Sequence, residues 1–88
     1  MNQAIQFPDS EYWDSSARKI IFPVLVNGRV ADCVITEEQL YSRFGHDIDA
    51  LSVFTHHRWD IEEEFEALIK QGHEDELGNY LLQSSSQR

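Results

Sequence analysis

The sequence predicts an α+β fold, an antiparallel sheet with a short helix and one long amphipathic helix packed on one face. Two observations carry this. Asn27-Gly28 divides two apolar, β-branched runs, which is the strongest short-range hairpin signal because a type I′ turn needs positive φ at both central residues. Beyond Thr36 the two-residue alternation gives way to apolar residues at helical spacing.

The elements follow in order. Ile5 and Phe7 alternate with Ala4 and Gln6 and stop at Pro8, which reads as a short strand; Tyr12 and Trp13 then read as a loop before the polar turn Asp14-Ser15-Ser16. Pairing Val26 with Arg29 across the Asn-Gly turn sets Val24 opposite Ala31, Phe22 opposite Cys33 and Ile20 opposite Ile35. That face is continuously apolar and predicts the core. The other face sets Leu25 opposite Val30, Pro23 opposite Asp32 and Ile21 opposite Val34, more apolar than a solvated face requires. Pro23 falls at a non-hydrogen-bonded pair, so its missing N–H weakens pairing at the outer edge and leaves the hairpin intact.

Thr36-Glu37-Glu38-Gln39 is a capping box that starts a short helix, and Gly45 ends it after Phe44. Asp47 is then placed to cap a second helix running to about Gln71 and closed by Gly72. Leu51, Phe54, Ile61, Phe65, Leu68 and Ile69 form its apolar stripe. The segment from Gly78 to Gln83 has the composition of a possible last strand, so residues 1–83 form one α+β domain and residues 84–88 a flexible tail.

Composition bounds the function. The chain has 88 residues and a formal net charge of -9, a field that disfavours nucleic acid and anionic membranes. The acids are unevenly placed: residues 1–36 hold four acids and three bases, residues 37–77 twelve acids and three bases. The single cysteine, Cys33, has no partner for an internal disulfide. No basic leader followed by an apolar run opens the chain and no stretch is long enough for a membrane span, so the expected location is the cytoplasm.

The inventory for catalysis is thin. There is no Gly-rich phosphate loop, nucleophile elbow, paired-cysteine motif or cofactor signature. On a straight helix, His56, Asp60 and Glu63 share one exposed sector and form a candidate set of metal ligands; the alternative is an ordinary solvated face. Trp59, on the flank of the stripe, is a candidate anchor for a partner, and Glu63 and Glu64 belong to an acidic run that suits a basic partner. Arg58 lies at the core rim, one turn from Glu62.

Three blocks carry a resemblance: Met1-Asn2-Gln3-Ala4-Ile5-Gln6-Phe7-Pro8-Asp9, Phe22-Pro23-Val24-Leu25-Val26-Asn27-Gly28 and His57-Arg58-Trp59-Asp60-Ile61-Glu62-Glu63-Glu64. They resemble a small bacterial family of unknown function that includes the enterobacterial protein YrdB. The resemblance implies a cytoplasmic gammaproteobacterial protein of α+β fold. It also implies a link to regulation of the shikimate pathway, transcriptional regulation included, because genes of this family can lie beside that of shikimate dehydrogenase. It brings no established activity, cofactor or catalytic residue.

The expected function is therefore that of a non-catalytic protein-interaction or regulatory module acting through a protein partner or self-association. Ile21, Leu25, Val30, Val34, Trp59, Glu63 and Glu64 are its candidate surface.

Overall fold

The computed structural model describes residues 4–81, in which the elements run β1 (Ile5–Gln6), β2 (Tyr12–Asp14), β3 (Lys19–Val26), β4 (Arg29–Thr36), α1 (Glu37–Phe44), α2 (Ala50–His56), α3 (Arg58–Lys70) and β5 (Tyr80–Leu81). The expected tail at 84–88 lies outside the described residues.

Asn27 and Gly28 have φ of 54° and 84°, the left-handed pair that the turn demands. The register that follows is the expected one at every position, from Val26 opposite Arg29 to Ile20 opposite Ile35. The five strands form one sheet in the order β1, β3, β4, β5, with β2 also paired to β3.

Tyr12 and Trp13, expected in a loop, instead belong to a strand. Tyr12 pairs with Ile21 and Trp13 with Ile20, while β1 pairs Ile5 with Val26 and Gln6 with Leu25. Residues 7–11 bulge between these two edge pieces, opposite Phe22, Pro23 and Val24. The bulge forms where Pro23 has no N–H to offer an edge partner. The turn into β3 is held by Asp14, whose Oδ1 accepts from the backbone N–H groups of Ser16 and Ala17 at 3.0 and 3.2 Å.

The capping box at Thr36 and Gln39 is present in both directions, and Gly45 ends α1 with φ of 91°. The long second helix is not continuous. It starts later, at Asp49, whose carboxylate accepts from the Ser52 N–H, and it breaks at His57, with φ of -115° and ψ of 22°. Two side chains press on that last turn: Thr55 Oγ1 donates to the Leu51 carbonyl and His56 Nδ1 lies against the Ser52 carbonyl, both at 2.9 Å. Such back-bonding bends helices. The His57 imidazole then stacks on Phe44, ring centroids 4.0 Å apart and planes 9° apart, which ties the break to α1.

Ile20, Phe22, Val24, Cys33 and Ile35 are fully buried on one sheet face, against Leu40, Phe54, Ile61 and Phe65 from the helices. Phe22 is central, its ring 5.0 Å from Phe54 and 4.9 Å from Phe65. Leu51, expected on the apolar stripe, is exposed. The last strand also departs from the antiparallel expectation: β5 lies parallel to β4, pairing Tyr80 with Cys33 and Leu81 with Val34. Three helices separate β4 from β5, and a helical crossover of this kind returns the chain in the same direction.

Candidate functional site

The buried residues of all three helices join the core on the Phe22 face, so among the described residues no helix covers the opposite face. Strand alternation puts Tyr12, Ile21, Val34 and Leu81 there, and register aligns them. Tyr12 pairs with Ile21, Ile21 with Val34 and Val34 with Leu81, an apolar row running across four strands. Leu25 and Val30 pair on the same face nearer the turn. Val30 is 72% exposed, Tyr12 54% and Leu81 44%. Ile21 and Leu25 are half-buried, and Val34, in the middle of the row, is buried.

Of the expected surface, Ile21, Leu25, Val30 and Val34 are thus brought together. Tyr12 and Leu81 complete the row and escaped the sequence reading. The alternation of outward Tyr12 with inward Trp13 is the signal that marks β2 as a strand. Leu81 gains its place only through the parallel pairing of β5.

The acidic helix presents a different surface. Trp59, at the start of α3, is 78% exposed. With Ile5, Phe7, Glu62, Glu63 and Glu66 it lines a shallow depression of about 180 Å³. Glu64 is not free on this surface: its carboxylate takes a two-pronged ion pair from Arg43 and so braces α3 against α1.

The helical face expected to gather His56, Asp60 and Glu63 is divided by the break at His57, with His56 ending α2 and the two acids on α3. Among the described residues no group of three or more His, Cys, Asp and Glu side chains is arranged to hold a metal ion.

Cys33 is buried, and burial first, then the charges of Asp32 and Glu62, push its thiol up to about 12. A thiol so held stays protonated and is a poor nucleophile. Arg58 is a structural hub. It donates to Glu62 at 2.7 Å, to Glu11 at 2.5 Å and to the Pro8 carbonyl at 3.1 Å, fastening the bulge between β1 and β2 to α3. No described helix is long and apolar enough to cross a membrane.

Comparison with known proteins places this geometry beside others of unknown role. The family described as "Protein of unknown function (DUF1488)" matches residues 5–82. The uncharacterized protein YrdB of Escherichia coli K12 is 50% identical over 80 residues, covering 89% of this chain and 94% of that protein. Its counterpart in Shigella flexneri is 49% identical over the same length. A crystal structure of a DUF1488 protein of unknown function from Shewanella loihica superposes with a TM-score of 0.84 at 36% identity, covering 93% of this chain and 94% of that one.

Proposed function

The chain belongs to the DUF1488 family, a family of unknown function, and from that premise we propose that it is a non-catalytic protein-interaction module. It captures a protein partner or a second copy of itself through the outer face of its sheet. The observation that carries this reading is the row Tyr12, Ile21, Val34 and Leu81, extended by Leu25 and Val30 on a face that no described helix covers. Apolar surface left exposed on a small domain is costly in water, and burying it against another protein recovers about 25 cal/mol for each Å².

The distribution of charge supports the same surface. Residues 1–36, which supply four of the five strands, are nearly neutral, whereas the acids concentrate in residues 37–77, which supply the helices. An approaching protein therefore meets least repulsion on the sheet side.

Trp59 supports a second contact. Its exposed ring beside Glu62, Glu63 and Glu66 suits a basic side chain, held by the ring face and the surrounding carboxylates.

The test is a triple variant, Tyr12→Ser, Val30→Ser and Leu81→Ser, which changes only exposed side chains. Sedimentation over a concentration series and capture from a bacterial lysate should both report association for the parent protein and its loss in the variant, with unchanged circular dichroism. Association that survives the triple change while Glu63→Lys abolishes it would move the contact to the helix. Absence of association in the parent protein would reject the module.

A further inference from the structure

On the core side of the hairpin, where the Asn-Gly turn meets the end of α3 and the loop of residues 72–79, lies a cavity of about 330 Å³, within the range that holds small ligands. Its walls include Val26, Ala31 and Ile69, and Leu77, 84% exposed, stands at its rim. The loop that carries Leu77 is built around Asp75, whose Oδ1 accepts from the N–H groups of Leu77 and Asn79, both at 2.9 Å. An apolar side chain is thus held out in water by a fixed turn beside an open cavity.

Two polar groups of the lining have no partner among the described residues. Tyr80 is only 7% exposed, and its hydroxyl has no hydrogen-bond partner among the described residues. Buried tyrosines normally find one. Arg29, also in the lining, makes no ion pair among the described residues, although acids outnumber bases sixteen to seven in this chain. The Oδ1 atoms of Asn27 and Asn79 are engaged by the backbone N–H groups of Ala4 and Asp32, which leaves their Nδ2 groups as donors. Against these donors the lining sets one carboxylate, Glu74. Burial first, then the charges of Glu74 and Cys33, push the Tyr80 hydroxyl up, and the Arg29 charge opposes them.

We propose that this cavity is a binding site for a small amphoteric molecule of the α-amino acid class with a short aliphatic side chain. Arg29 and the Tyr80 hydroxyl receive the carboxylate, and Glu74 receives the ammonium group. The aliphatic group lies against Ile69 and Ala31, with Leu77 at the rim beside it. A purely anionic ligand meets Glu74 and a purely cationic one meets Arg29, so the pair selects a molecule bearing both charges. Val30 borders both this cavity and the outer sheet face, but Tyr12 and Leu81, which carry the association proposed there, do not line the cavity, so the two readings are tested by different residues.

The test is an amide chemical-shift titration of the full chain with L-alanine, L-valine and L-leucine, and with acetate and ethylamine as single-charge controls. At least one amino acid should give saturable shifts at Arg29, Gly72, Glu74 and Gly78, and each control should bind at least about tenfold more weakly. Arg29→Gln and Tyr80→Phe should each weaken that amino acid by about tenfold, and Tyr80→Phe retains the ring that fills the core. Glu74→Gln should weaken the amino acid but not acetate. No saturable shift with any of the three amino acids would overturn the proposal, as would binding that Arg29→Gln and Tyr80→Phe leave unchanged. Acetate binding as tightly as the best amino acid would overturn the amphoteric assignment.

Discussion

Arg58 and Glu11 stand 47 residues apart in sequence and meet at 2.5 Å, in a contact that fastens the broken edge of the sheet to α3. Both side chains are about four-fifths buried, at 20% and 19% exposure, and the same guanidinium also serves Glu62, Asp9 and the Pro8 carbonyl. Removing it strands partly buried acceptors, which costs more than the pair itself contributes. Arg58→Met should therefore lower stability by about 2–3 kcal/mol, read as a shifted urea midpoint at constant slope. An effect below about 0.5 kcal/mol, the size usual for an exposed ion pair, would mean that the hub is only a surface contact.

The same contact sets a pH dependence. Burial pushes the Glu11 carboxyl up, but the hydrogen bond from Arg58, a backbone hydrogen bond and the Arg58 charge together outweigh it and hold the group below its ordinary 4.5. A carboxyl whose folded pKa is depressed contributes stability that is fully present above the unfolded value and is lost as pH falls through the folded one. The stability difference between the parent protein and Glu11→Gln should be largest near neutrality and shrink on acidification below about 4.5. A difference independent of pH would assign the effect to packing.

Phe22 closes the core by touching both helical segments, Phe54 from α2 and Phe65 from α3. Phe22→Ala should cost about 3–5 kcal/mol and leave much of a domain of this size unfolded, whereas Phe22→Leu should remain folded. Far-ultraviolet circular dichroism with thermal melts separates the two outcomes.

Cys33 reports on opening of the sheet. Its thiol is fully buried and raised to about 12, so at mildly alkaline pH it should react with a disulfide reagent only when the fold opens. Labelling should accelerate in step with added urea. A native-state rate close to that of a free thiol would show that β3 and β4 part far more easily than their pairing implies.

The parts of the fold legible in the sequence are those fixed by local chemistry. Asn27-Gly28 dictates a turn with two positive φ angles, and that turn dictates the register as far as Thr36. Thr36 and Gln39 announce α1 because each satisfies a backbone donor of the other. Pro23 announces the gap in the edge strand, since it has no N–H for an outer partner. What escaped depends on contacts distant in sequence. The break at His57 lies inside an unbroken helical period and is secured by stacking on Phe44, thirteen positions earlier. Asp47 and Asp49 look alike as caps, and only Asp49 has Ser52 three positions on. The parallel direction of β5, and with it the place of Leu81, follows from the path of three helices rather than from the strand's own residues. The candidate surface was half legible for the same reason: Ile21, Leu25, Val30 and Val34 come from the hairpin, whereas Tyr12 and Leu81 join them only through tertiary pairing.

Native mass spectrometry of the protein purified from its host without chelator, beside the Tyr12→Ser, Val30→Ser, Leu81→Ser variant, tests the outer sheet face most directly. The expected result is a dimer or a stoichiometric complex with another protein in the parent sample, and a bare monomer in the variant. A parent protein that is itself a bare monomer, or a monomer carrying one stoichiometric metal ion, would contradict the account.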